Sequence, residues 1–553
     1  MKEKKSATSS IFHLLLINSL KFMKSLTIVF LLLFVTTVLT AQSPAYNPQI
    51  NSIDVQHYRF GLTLKDDTDR IEGQAEITLR FKQAGNTFVL DLTNTKAGKG
   101  MEVSAVNYNN AALKFSHSND RLNITLPTTI PAGENITVSV QYAGVPADGL
   151  IIDANKFGDR TFFGDNWPNR AHHWLPTVDH PSDKASVEFL VTAPDHYQVI
   201  GNGIQIEETN LDGGLRRTHW KETVLLPTKV MVIGVAPFAV QLAGEVQGIQ
   251  VSSWVFPDNR AEGFTDYSQA VEVLEWFHKN IAPYPYRKLA NVQSKTRYGG
   301  MENASNIFYF ENSVNGKKER EDLIAHEIAH QWFGNSASEA NWYHVWLSEG
   351  FATYSTHLYH EAKYGAASLA ERMRKDRLAV VRYAERKLAP IVDTTVTDIN
   401  DVLNTNSYQK GSWVLHMLRH EIGDAAFWAG YRAYYQKYQG SNALTSDLQK
   451  VMEEASGKPL GAFFKQWLFT AGQPELRVDW KYDATKKELE VSVQQVQATP
   501  FSFPLDVHFL DENKKLVLEK TLSVSKSQEQ FRFPLASAPK DIKLDPKAYL
   551  LFK

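Results

Sequence analysis

From Glu321 to Phe333 the chain runs without Gly or Pro, and inside that run His326 and His330 stand four residues apart. Residues at i and i+4 share one helix face, one turn apart. Leu323, Ile324, Ile328 and Trp332 suit a mostly buried helix, and Gly334-Asn335 reads as its stop. Both imidazoles can therefore reach one ion. Glu327 sits about 100° round the helix from His326, so it can lean over that ion without binding it. The pair alone also fits a core helix whose histidines bond to carbonyls. A third ligand discriminates. Eighteen residues, Gln331 to Ser348, separate His330 from Glu349, which opens a second helical pattern, "WLSEGFATYSTHLYHE". That spacing lets one helix end, a loop turn, and the first turn of an antiparallel helix bring Glu349 back to the pair.

Three protein ligands with one position left for water are the habit of catalytic zinc, and H-E-x-x-H is a recurrent way to supply two of them. One Zn²⁺ per chain is expected at His326, His330 and Glu349, with Glu327 as general base. "RAHHWLPTVDH" offers a second histidine group, His172, His173 and His180. Adjacent residues on a strand point to opposite faces, which argues against a metal there. His344, His357 and His360 read as packing or surface residues.

The 553 residues suggest three or four domain-sized units. Residues 44–245 are strand-like, with "HYRFGLTL", "AEITLRF", "ITVSVQY" and "ASVEFLV" separated by turn clusters, and read as an antiparallel β domain. Helical spacing then dominates 246–474, including 320–334, 346–364 and 366–387, and this α-rich unit holds every chemical motif. Strand patterns return over 475–553 and read as a small β-sandwich. The fold class expected is multidomain α+β.

Residues 1–43 read as a signal peptide, with Met23 as a candidate true start: Lys24 precedes an uncharged apolar run, Leu26 to Leu39, too short for a membrane span. Cleavage after Ser43 or Ala41 would leave no stable membrane anchor. There is no cysteine, so disulfides and thiolate metal sites are excluded. A net charge of −2 gives no footprint for nucleic acid. An exported protein, periplasmic or extracellular, is expected; nothing in the sequence sets an oligomeric state.

"YGGMENAS" (Tyr298 to Ser305) precedes the histidine helix, and "YQKG" (Tyr408 to Gly411) follows the third ligand. With "HEIAH" and "WLSEGFA" between them, the chain resembles the aminopeptidase N family, the M1 zinc metallopeptidases, in motif order and separation. The resemblance implies a thermolysin-like catalytic domain between an N-terminal β domain and a β-sandwich. It implies removal of single amino acids from peptides with a free N-terminus. Glu302 would anchor the substrate's ammonium, Tyr408 would stabilise the oxyanion, and Gly299, Gly300, Met301 and Asn303 would complete the substrate-binding strand. Two departures stand out: Ser348 where the family often has Asn, and Gly300 where it usually has Ala.

Relatives also place a Glu or Gln in the N-terminal β domain as a second amine contact. Aligning on "LPTVDHP" (Leu175 to Pro181) puts that role on Trp167, which cannot accept a hydrogen bond. Asp165, two residues earlier, would share its face in an extended segment and could supply the anion, the alternative being a turn residue that follows Gly164. Trp167 would then wall the pocket or stack on the ammonium. Larger members add a helical domain over the cleft, and with none here an open cleft, indifferent to peptide length, is expected. A thermolysin-type endopeptidase would share the zinc ligands but not "GGMEN", and a non-catalytic peptide-binding protein would be expected to lose a ligand or the base.

Overall fold

A computed structural model describes residues 47–553; the expected signal peptide lies outside the described residues. Among those residues no helix is long and apolar enough to cross a membrane. The fold is an N-terminal β-rich region, a helical central region and C-terminal β-sheets.

The N-terminal region is built on an eight-stranded sheet that includes the parallel pair Ile53–Thr63 and Lys184–Pro194. Ile53–Thr63 shows why alternation specifies it. Ile53 and Val55 point inward, then Tyr58, Phe60 and Leu62 do, the parity switching across a bulge between Val55 and His57. A second sheet of four strands has its third member end at Gly164, after which the chain leaves the sheet.

The central region opens with a five-stranded sheet of β1 (Ala239–Val246), β2 (Ile249–Val255), β3 (Lys288–Ser294), β4 (Gly300–Met301) and β5 (Asn306–Phe310), in the order β1-β2-β3-β5-β4. Helical spacing alone did not announce this sheet. β2, β3 and β5 pair in parallel, and β3 is buried from Leu289 to Ser294, so its residues do not alternate. Helices follow: α1 (Glu321–His330), α2 (Trp346–Tyr364), α3 (Ala366–Ala384) and α4 (Gly411–Ile422). Behind α1 the aromatic residues form a core. Phe351 of α2 meets Phe333, Tyr431 and Tyr434 at ring-centroid distances of 4.7, 5.1 and 5.2 Å. Two three-stranded sheets close the chain, with Leu489, Val491 and Val493 of one and Leu505, Val507 and Phe509 of the other all fully buried.

A buried ion pair joins the first two regions. Lys229 Nζ lies 2.7 Å from Glu339 Oε1, with neither side chain more than 1% exposed. Such a pair is strongly destabilising to break because each charge would be left alone in low dielectric.

Candidate active site

α1 and α2 run antiparallel, as two pairings along them show: His330 to Glu349 at one end and Asp322 to His360 at the other. The reversal between them is tight at Gly334, whose φ is +117° and where a Cβ would fall 2.2 Å from Ser348 Oγ. This brings Ser348 Oγ within 3.1 Å of His330 Nδ1, which also lies 3.0 Å from the Phe333 carbonyl. With Nδ1–H donating to that carbonyl, Nε2 of His330 is left to face Glu349.

Three ligand atoms converge. His326 Nε2 and His330 Nε2 are 3.1 Å apart, and Glu349 Oε2 lies 3.4 Å from the first and 3.2 Å from the second. Ligands about 2.1 Å from a tetrahedral zinc are separated by about 3.4 Å, so this set fits that ion. The electrostatics agree. Burial disfavours charge on His330, but Glu349 and Glu302 outweigh it and push its proton affinity up to about 10, so the cluster favours a cation there. Among the described residues the groups able to hold a metal are this triad and the overlapping set Glu302, Glu327 and His330. The other histidines are separately committed, His172 to Asp179, His173 to Thr93 and His180 to Ser182.

Glu327 projects from α1 beside the triad and is buried. Burial, then the neighbouring carboxylates of Glu302 and Glu349, hold its proton affinity well above the usual carboxylate range, against the pull of His330. That is the bias a general base needs.

β4 forms the edge of its sheet, paired on one side only, with Gly300 opposite Tyr309 and Met301 opposite Phe308. Its other edge is available for an extended peptide backbone. Glu302 follows directly. Its carbonyl accepts from Gln331 Nε2 at 2.9 Å and Asn335 Nδ2 at 2.6 Å, which pins the strand to the end of α1. Glu302 is 5% exposed, and its Oε1 is buried with no hydrogen-bond partner among the described residues. Neither Gln331 nor Asn335 was singled out from sequence; both lie within five residues of His330, where the chain must turn back.

Tyr408 lies in a one-turn π-helix, Asn406–Lys410, that leads into α4. Its ring is stacked on that of His326, centroids 6.0 Å apart and planes 17° from parallel. Gly350 and Gly411 allow α2 and α4 to approach closely enough for this: a Cβ on Gly350 would lie 3.0 Å from Gly411 Cα. Burial, then the carboxylates of Glu349, Glu302 and Glu327, hold the Tyr408 phenol protonated, so it is a donor.

These residues line one cleft of about 970 Å³, together with Trp167, Tyr298, Gly299, Gly300 and Met301. Two expected residues are not brought to it. Asp165 is 1% exposed; its Oδ1 accepts from Arg170 Nη2 at 2.7 Å and its Oδ2 from the Arg297 backbone N–H at 3.0 Å. The strand ends at Gly164, so the alternation that would have aimed Asp165 with Trp167 no longer applies. Trp167 alone reaches the cleft, packed edge-on against Tyr298 and Trp342. Asn303 is also fully buried and stands outside the cleft lining, its carbonyl accepting from the Asn306 N–H. Conversely His357, read as a packing or surface residue, lines the cleft and lies 2.8 Å from Asp376.

Residues 54–230 match the Peptidase M1 N-terminal domain and residues 265–467 the Peptidase family M1 domain. Aminopeptidase M1-A of Oryza sativa subsp. japonica is 30% identical over 332 residues, 57% of this chain and 37% of that protein. Glutamyl aminopeptidase of Homo sapiens is 28% identical over 362 residues, 62% of this chain and again 37% of that protein. The chain thus spans well under half the length of these relatives. Among solved structures, an M1 zinc metallopeptidase from Deinococcus radiodurans superposes with TM-score 0.64 at 25% identity, covering 75% of this chain and 93% of that one. Legionella pneumophila aminopeptidase A, in complex with aspartic acid, gives TM-score 0.79 at 17% identity over 92% of this chain and 60% of that one, a likeness of fold.

Proposed function

The chain belongs to peptidase family M1, and from that premise we propose that it is a zinc aminopeptidase that releases single amino acids from peptides with a free N-terminus. One zinc ion would be held by His326, His330 and Glu349. When bound, it supplies Lewis acidity, making water nucleophilic near neutral pH and polarising the scissile carbonyl.

The chain's own groups carry the rest. Glu327 takes the proton from the attacking water and passes it to the leaving amine. Tyr408 donates to the oxyanion as it develops. The free edge of β4 aligns the substrate backbone, with Gly299 and Gly300 permitting close approach. Glu302 binds the substrate's α-ammonium.

The observation that carries the exopeptidase reading is Glu302 Oε1, buried and without a partner, in a cluster whose ligand atoms from Glu302, Glu327 and His330 lie within 4.8 Å of one another. A buried carboxylate oxygen without a hydrogen-bond donor is costly, and a cation can meet it. At this distance from the base, a chain terminus supplies that cation and an internal residue of a peptide does not. An aminoacyl anilide tests the reading: activity should vanish on chelation and return with zinc, and failure to return would overturn it.

The same reading includes export. N-terminal sequencing of the secreted or periplasmic protein should find cleavage after Ser43 or Ala41; a retained leader contradicts it.

A further inference from the structure

The cleft extends beyond the triad along α1, and its far wall is built by α3. The direction of a substrate follows from the strand. A Cβ on Gly300 would meet Glu327, and one on Gly299 would lie 3.9 Å from Leu323 Cδ1, one turn nearer the start of α1. A chain with its ammonium at Glu302 therefore passes Glu327, then Leu323, and arrives at Asp322 and α3. That end receives the part of the peptide beyond the scissile bond.

Charges on this wall are mostly spent. Asp322 is gripped by Arg372, with Nη1 and Nη2 at 2.9 and 2.7 Å, and lies 2.6 Å from His360. Asp376 is met by His357 at 2.8 Å. Two cationic donors remain. Arg372 uses both terminal nitrogens on Asp322, and its Nε–H is buried without a partner. Lys375, exposed on the cleft wall three residues further along α3, makes no hydrogen bond or ion pair among the described residues. Three residues are about 4.5 Å of helix, and i and i+3 share a face. Glu371, which also lines the cleft one turn from Lys375 toward the start of α3, makes no hydrogen bond or ion pair among the described residues.

We propose that Lys375, with the Nε–H of Arg372, forms a subsite for a carboxylate on the leaving-group side of the substrate. This rests on the aminopeptidase reading. Asp322 lies four residues from His326, about 6 Å along the helix, and an extended peptide advances about 3.3 Å per residue. The carboxylate is thus held about two residues beyond the scissile bond. It comes from the C-terminus of a tripeptide or from an acidic side chain at that depth. Such a subsite makes short peptides better substrates than long neutral ones, against the indifference to length expected of an open cleft.

The test uses one N-terminal residue throughout: a tripeptide free acid, its C-terminal amide, and amides carrying Glu at the second or third position. The free acid should exceed the plain amide about ten-fold or more in kcat/KM, mostly through KM. Lys375→Ala should bring that ratio toward one, and Lys375→Arg should keep most of it. If a Glu-containing amide recovers the advantage instead, the carboxylate is a side chain's. Equal rates for every peptide in the wild type, or a ratio unmoved in Lys375→Ala, would overturn the subsite. An aminoacyl anilide measured alongside separates the two readings: an enzyme that cleaves it but ignores the carboxylate loses the subsite alone, and one that cleaves nothing loses both.

Discussion

Gly300 lies so close to Glu327 that a Cβ built on it would fall 2.3 Å from Oε1 and 2.5 Å from the carboxyl carbon of that side chain. The Glu327 carboxylate therefore occupies the space into which the alanine usual at this motif position would project. Gly300→Ala should displace the carboxylate while leaving the metal ligands alone. Misplacement of a catalytic group by about 1 Å can cost up to about a hundred-fold; because the clash is with the end of a side chain, about ten-fold in kcat is expected. Zinc content and KM should change little. Wild-type kcat in this variant would show that Glu327 yields without cost.

The proposed function makes ligands and base different groups, and that separation can be measured. Glu327→Gln should keep a full complement of zinc, by metal analysis, and lose about a hundred- to ten-thousand-fold in kcat. A variant near the wild-type rate would remove Glu327 from the role of base.

Tyr408→Phe deletes one hydroxyl and keeps the ring that stacks on His326. Loss of an oxyanion donor costs about a hundred-fold or more in kcat. The effect should appear in kcat and kcat/KM alike, with metal content unchanged. A change confined to KM would instead assign Tyr408 to ground-state binding.

How much of this site the sequence disclosed depended on whether a residue's direction follows from local geometry. His326, Glu327 and His330 are on one helix, so their spacing fixes their relative directions, and Glu349 needed only an antiparallel return. Asp165 failed because its direction depended on how far a strand continues. That strand stops one residue earlier, at Gly164, and the carboxylate turns to Arg170 and Arg297, partners no spacing rule would supply. The sheet carrying "GGMEN" was hidden for a related reason: strands buried on both faces, such as β3, lack the alternation that marks half-exposed ones. The α3 wall carries a faint signal, since Ser368, Glu371, Arg372, Lys375 and Asp376 recur at helical spacing. A polar helix face reads as solvent-facing until α1 is known to lie opposite it.

Far from the cleft, Asp183 makes a pH-dependent contribution to stability. Its Oδ1 accepts from the Val55 N–H at 3.1 Å, and its Oδ2 is buried without a partner. Burial, with Asp54 nearby, pushes its pKa up to about 8. An unfolded Asp titrates near about 3.9, so between roughly pH 4 and 8 the folded state keeps a proton the unfolded state has released. Stability from this group is therefore lost as pH rises through that window. Asp183→Asn keeps the acceptor for Val55 and cannot ionise. Its melting temperature relative to wild type should rise between pH 5 and pH 8; a constant difference would contradict the assignment.

The claim that Glu302 makes this an exopeptidase is tested most directly by one comparison: kcat/KM for an aminoacyl anilide against the same compound with its α-amine acetylated. Acetylation removes the charge and leaves the scissile bond intact. A charged hydrogen bond is worth about 1.5–3 kcal/mol, and burying Glu302 unpaired adds to the penalty. The free amine should therefore be cleaved at least about ten-fold faster, and Glu302→Gln should shrink that preference by raising KM for the free amine. Equal cleavage of the two compounds by the wild-type enzyme would contradict the account and make the protein an endopeptidase on the same zinc site.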